Sequence, residues 1–255
     1  MENFKDQVVL ITGASGGLGK EAAMQFAQQG AKLALCDINV SALNDLASLL
    51  IEQGHEVFYQ ACDVSQEEQV KDFVNHAVIH FGRLDAAINN AGIDPKHSPL
   101  ADMDSADFDR VMSINVKGVY LCMKYQIPHM IKQGGGAICN MSSVAGISGA
   151  PFMSAYAASK HAVIGLSKSA AHEYGRAGIR INSVCPYITM TDMVEQHLQT
   201  LDNPEEVLAK YSKGSALRRI AQPPEVVKVM LFACDKNNTY MTGQELVVDG
   251  GMTSV

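Results

Sequence analysis

The chain has 255 residues, 47% of them hydrophobic, and a formal net charge of −7. That acidic balance, with no basic run to meet phosphates, speaks against a nucleic-acid partner, and no apolar stretch approaches the ~20 residues that cross a bilayer. The opening MENFKDQVVLITG has no basic region followed by a long apolar one, so neither a leader nor a membrane partner is expected and a cytoplasmic location is.

Apolar runs alternate with helical patterns along the chain. VVLIT (8–12) precedes a helix from about Gly17 to Gln29, closed by Gly30, and KLALC (32–36) precedes a helical stretch near 41–53. EVFYQA (56–61) leads to a helix around 66–80, and DAAIN (85–89) to a long helix near 105–131. GAICNM (136–141) is followed by a helix over about 154–175. IRINSVC (179–185) gives way to an irregular stretch at 187–215, a helix after Pro223–Pro224 and a last short strand, QELVVD (244–249). Strands that read as unbroken apolar runs are buried on both faces. Their alternation with helices predicts an α/β fold, a doubly wound parallel sheet with helices on both faces. No linker divides the chain, so one domain is expected over 1–255. The stretch 187–215 is too long for an ordinary connection and is expected to form a lid over a site.

The first strand ends in TGASGGLG (12–19), where Gly17, Gly19 and Ala22 follow a dinucleotide-binding spacing and Gly13 lies upstream. A tight turn off a strand needs freedom in φ, and a pyrophosphate approaches only a bare backbone. The helix that follows offers free N–H groups to the anion. The cofactor contacts expected here are Gly13, Ser15, Gly17, Leu18 and Gly19. Asp37, after the second strand, is placed to accept both adenosine ribose hydroxyls and to repel a 2′-phosphate. No Arg or Lys stands at Ser15, Gly16 or Ile38 to offset it. NAD is therefore expected over NADP. Asp63 either meets the adenine or caps the next helix.

Six cysteines (Cys36, Cys62, Cys122, Cys139, Cys185 and Cys234) lie singly, with no CxxC spacing, and are expected to be buried thiols rather than metal ligands. In SAYAASKHAV (154–163), Tyr156 and Lys160 are four positions apart and share a helix face. A free phenol ionises near pH ~10. A neighbouring ammonium would lower that value and make Tyr156 a usable proton carrier.

NNAG (89–92), Asn115 in INVKG, MSSVAG (141–146), YAASK (156–160), NSVCP (182–186) and the ending GQELVVDGG follow the glycine turn in this order. With these motifs the sequence resembles the short-chain dehydrogenase/reductase family over essentially its whole length. The resemblance implies a single Rossmann-like domain with about seven strands, a nicotinamide cofactor and a homotetramer. It implies Tyr156 as general acid/base, Lys160 as its tuner and ribose ligand, and Ser143 on the substrate oxygen. Ser143 is preferred to Ser142 because the family's serine lies thirteen positions before the tyrosine. It further implies Asn115 in a proton relay, Asn90 at the cofactor ribose, Asp63 and Val64 at the adenine, and Thr189 and Thr191 at the carboxamide or phosphate.

Where the family commonly has Pro-Gly, this chain has Pro186-Tyr187. If that glycine serves a positive φ, Tyr187 is expected to be strained or shifted, and its side chain either narrows the substrate entrance or packs on the surface. Substrate contacts are expected from Ile93, Pro95, Val144, Phe152, Met153, Met190 and Met193. The expected reaction is hydride transfer between NAD(H) and a secondary alcohol or ketone. The stretch 118–131 looks similar to members acting on alicyclic alcohols. A 3-oxoacyl-thioester reductase and a catalytically silent nucleotide-binding regulator are the alternatives.

Overall fold

The computed structural model describes residues 3–199 and 203–254, of which the side chains of 192, 193, 196 and 197 are not described. Seven parallel strands form one sheet in the order β3-β2-β1-β4-β5-β6-β7. They are β1 Val8–Thr12, β2 Lys32–Asp37, β3 Val57–Ala61, β4 Ala86–Asn89, β5 Gly136–Met141, β6 Ile179–Pro186 and β7 Glu245–Val248. The helices are α1 Gly17–Gln28, α2 Val40–Glu52, α3 Glu67–Phe81, α4 Ser105–Met112, α5 Gly118–Gln133, α6 Ser154–Tyr174, α7 Asp192–Gln199, α8 Pro204–Gly214 and α9 Pro223–Cys234.

Successive side chains of a strand point to opposite faces, and β1 divides its residues accordingly. Val9 and Ile11 join a core with α1, α2 and α9, whereas Val8 and Leu10 join one with α3, α5 and α6. All five residues of β1 are buried. The edge strands β3 and β7 are only partly covered, so burial on both faces holds for the central strands and fails at the edges. From β1 the chain winds outward through β2 and β3; from β4 it winds the other way through β5, β6 and β7. The strand order reverses between β1 and β4, and a doubly wound sheet opens its ligand crevice at such a point.

Two expectations are revised. The long helix near 105–131 runs to Gln133 but contains a π-helical turn at Ser113–Lys117, which turns Asn115 inward to full burial. The stretch 187–215 is not irregular: it carries α7 and α8. For α8 the reason is that it has no buried residue and so no apolar stripe to read. Residues 200–202 of the expected lid lie outside the described residues.

Candidate active site

The crevice begins at the turn between β1 and α1. Gly13 has φ +62°, and a Cβ there would lie 2.9 Å from the Ala91 Cα. At Gly19 a Cβ would lie 2.0 Å from the Gly13 carbonyl oxygen, so helix and turn touch through bare backbone. Gly16, at the N-cap of α1, faces open space. No side chain caps the helix, and its first turn holds no acid. An uncapped N-terminus beside open space suits an anion. Asn90 braces the turn: its Nδ2 donates to the carbonyls of Thr12 (3.2 Å) and Gly13 (3.0 Å), and its N–H donates to Thr12 Oγ1. Thr12 was not singled out from sequence, although it opens the glycine motif. Its hydroxyl also accepts from the Ala91 N–H.

Asp37 stands over this turn. Its Oδ2 accepts from the Ser15 N–H at 3.0 Å and its Oδ1 from the Asn39 N–H at 2.9 Å. A carboxylate has about four acceptor positions, so two remain for ribose hydroxyls. Ile38 beside it is 71% exposed. Asp63 caps locally, its Oδ1 accepting from the Ser65 N–H. Val64 is buried against Gly118, where a Cβ would lie 2.8 Å from its Cγ2. Thr191 lies against Gly17 at the start of α1, its methyl 3.1 Å from where a Cβ would be, which brings it to the phosphate end. A cavity of about 220 Å³ lies alongside, lined by Gly17, Lys20, Met190 and Thr191 among others. Thr189 is buried and pairs with Ala221 in an isolated bridge.

At the other end of the crevice, α6 brings Tyr156 and Lys160 into one environment. The Lys160 Nζ lies 5.3 Å from the Tyr156 ring centre and donates to the Met141 carbonyl at 2.9 Å. Ser143 stands close enough to the same phenol to lower its pKa. Its Oγ accepts from the Ala145 N–H and lies 3.5 Å from the Pro186 carbonyl oxygen. Ser142 turns away to donate to the Lys160 carbonyl, so the structure distinguishes the two serines. The Asn115 amide is fully engaged: Oδ1 accepts from the Ile93 N–H, while Nδ2 donates to the Ile93 carbonyl and to Ser159 Oγ. Gly92 lies between the groups; a Cβ there would be 3.3 Å from Asn115 Oδ1 and 3.5 Å from Lys160 Nζ.

Electrostatics correct one expectation. Lys160 does not lower the phenol. Burial raises the Tyr156 pKa well above its ordinary value, the charge of Asp94 adds to this, and only the Ser143 hydrogen bond opposes it. Burial likewise lowers Lys160 to about 8, against the opposing charge of Asp94 and a smaller effect of Cys185. The reason is geometric: the ammonium is directed at a main-chain carbonyl, and desolvation disfavours both charged forms. Asp94, in the loop expected to meet substrate, acts on both groups, a charge effect that no spacing in the sequence signals. All six cysteines are buried and free.

Tyr187 also departs from expectation. Among the described residues, the non-glycine residues with positive φ are Asp6, Phe152 and Arg218, so Tyr187 is unstrained. Of the expected substrate contacts, Pro95 and Val144 are buried, and Phe152 is 59% exposed with φ 66°. Ile93, Met153 and Met190 are partly buried, and the side chain of Met193 lies outside the described residues.

An open parallel sheet whose strand order reverses at a glycine-built anion cradle, with a partly buried phenol and a buried amine farther along, describes a nucleotide-dependent oxidoreductase. A family model described as enoyl-(acyl carrier protein) reductase matches residues 13–253. The chain belongs to the short-chain dehydrogenase/reductase family. It is 38% identical over 255 residues to levodione reductase of Leifsonia aquatica, covering 98% of this chain and 96% of that one. It is 37% identical over 251 residues to cyclohexanol dehydrogenase of Acinetobacter sp. (strain SE19), at 98% and 96% coverage. The crystal structure of levodione reductase superposes with a TM-score of 0.95 over 99% of both chains, at 38% identity. NAD+-bound xylitol dehydrogenase (TM-score 0.91, 34% identity, 97% and 99% coverage) and NADP-bound ElxO (0.90, 35%, 98% and 99%) are similar as well. Among the described residues, no helix is long and apolar enough to cross a membrane.

Proposed function

We propose that this oxidoreductase interconverts secondary alcohols and ketones, with ring-shaped substrates the best fit, and that it uses NAD(H). The observation that carries the reading is the convergence at one point of the crevice of a partly buried Tyr156 with the buried Ser143 and Lys160. Two relatives named for ring compounds, levodione reductase and cyclohexanol dehydrogenase, support the substrate class. NAD over NADP rests on Asp37, held by two N–H groups where a 2′-phosphate would lie and with no cation at Ser15, Gly16 or Ile38. A homotetramer in the cytoplasm completes the proposal.

In this reading the turn residues Gly13, Ser15, Gly17, Leu18 and Gly19 and the start of α1 hold the pyrophosphate, helped by Thr191. Asp37 and Ile38 hold the adenosine ribose, and Asp63 and Val64 the adenine. Asn90 contributes through its main chain, since its amide is committed to the turn. Lys160 holds the nicotinamide ribose, and Thr189 the carboxamide. When bound, the nicotinamide supplies the hydride acceptor or donor and, oxidised, a positive charge that favours phenolate. Tyr156 Oη takes the hydroxyl proton in oxidation and returns it in reduction. Ser143 Oγ holds the substrate oxygen, so donors stand in place as charge develops there. Asn115, its side chain fully engaged, serves the proton path through its main chain.

The test is a panel of cyclic and open-chain secondary alcohols assayed with NAD+ and NADP+ in parallel. The expected result is turnover of cyclic alcohols with NAD+ favoured. Cofactor binding with no turnover on the panel, or a preference for NADP+, overturns the corresponding part.

A further inference from the structure

Tyr187 has no place in the proton or hydride chemistry, yet its surroundings are unusually specific. Its main chain is clamped on both sides: its N–H donates to the Val248 carbonyl at 3.1 Å, and its carbonyl accepts from Thr189 Oγ1 at 3.1 Å. It directly follows Pro186, whose carbonyl oxygen lies 3.5 Å from Ser143 Oγ. Its half-buried side chain reaches the opposite way, to the last residue of α8. A Cβ added at Gly214 would lie 2.5 Å from the Tyr187 hydroxyl oxygen, 3.2 Å from Cζ and 3.6 Å from Cε1. Gly214 is not among the glycines with positive φ. Its backbone accommodates alanine, and the three atoms nearest such a Cβ all belong to the Tyr187 phenol, which would have to shift. Partial burial, and then the nearby Tyr211 one turn earlier on α8, raise the Tyr187 phenol pKa.

The remaining anchors of α8 lie just beyond this contact. Ser215 is buried with its Oγ directed to the Gly250 carbonyl at 3.4 Å, and the Leu217 N–H donates to the same oxygen. No residue of α8 is itself buried. The Tyr187 side chain therefore bridges the strand end that carries Pro186 and the end of α8, beside the bonds that tie Ser215 and Leu217 to Gly250.

We propose that Tyr187 is a positioning and specificity-determining residue: its phenol, seated on Gly214, sets how near α8 stands to the substrate oxygen's site and so the size of ring accepted. The proposal rests on the reading of Ser143 and Tyr156 as the groups at that oxygen. Tyr187 touches no reacting atom, so its effect belongs in KM and substrate size rather than in the chemical step.

A double-mutant cycle tests this. Gly214→Ala forces the phenol off its seat and is expected to raise KM for a one-ring alcohol about tenfold, with kcat within about threefold. Adding Tyr187→Phe removes the oxygen at 2.5 Å and leaves the ring carbon at 3.2 Å. It is expected to return KM to within about threefold of the parent. Tyr187→Gly, which vacates the strut, is expected to shift the kcat/KM ratio about tenfold toward a two-ring alcohol. Additive effects of the first two substitutions overturn the proposal. A size ratio unchanged in Tyr187→Gly overturns it as well, and that variant decides the matter if Gly214→Ala does not fold. Failure of the proton-transfer reading is separately visible, because it would show as undiminished turnover in Tyr156→Phe whatever the cycle gives.

Discussion

At the nucleotide end of the crevice every residue of β1 is buried, Asn90 spends its amide on the turn, and a single added carbon at Gly19 would meet a carbonyl at 2.0 Å. At the end proposed for the substrate, α8 has eleven residues and none is buried. The first region is packed backbone to backbone, so almost any change there is a change to the fold. The second is tied at its end by a few contacts, so its residues are free to vary at little cost in stability. A cofactor common to many reactions suits the first kind of construction, and a substrate peculiar to one reaction suits the second.

The comparison is broken or sharpened most strongly by Gly19→Ala. The carbonyl it meets is main chain and cannot rotate away, so a destabilisation of about 3 kcal/mol or more is expected. A thermal melt within 2 °C or so of the parent would refute backbone packing as the reason for glycine there. Next comes Tyr156→Phe, between the two ends, where turnover should fall by about 10²–10⁴ while NAD(H) fluorescence titration shows binding retained. Asp37→Ala should lower the NAD/NADP ratio of kcat/KM by roughly tenfold or more, measured on one substrate. An unchanged ratio removes Asp37 from cofactor selection.

Lys160 gives a pH-dependent comparison. Its folded value of about 8 lies below the ordinary lysine value of 10.5, so between these the unfolded chain holds a proton that the folded chain has lost. Folded stability contributed by this group therefore rises with pH across that window. Melts from pH 8 to 10 should rise more steeply, or fall less, in the parent than in Lys160→Met. Parallel curves would show that the buried amine keeps its proton. The smallest effect belongs to α8: Glu206→Ala, on its exposed surface, should change stability by no more than about 0.5 kcal/mol. A larger loss would mean that this helix is more deeply tied than its burial indicates.

Individual residues show where sequence reading succeeded and stopped. Val8 through Thr12 read as a buried strand because nothing but burial on both faces explains five such residues in a row. Tyr156 and Lys160 read as a pair because helical spacing by itself puts them on one face. By contrast α8 gives no sequence signal, since a helix with no buried residue leaves no apolar stripe to read. The charge effect of Asp94 on Tyr156 and Lys160 gives no signal either, because it depends on where a loop folds.

The parallel sheet, the glycine turn and the pairing of phenol with amine follow from local geometry that the residue order carries: strand alternation, freedom in φ and helical pitch. Only the tertiary structure decided the protonation tendencies of that pair, which depend on how much water is excluded around them. It also decided that Tyr187 lies unstrained against Gly214, twenty-seven positions along the chain. Desolvation and contacts between distant residues are properties of the packed chain, and no spacing in the sequence encodes them.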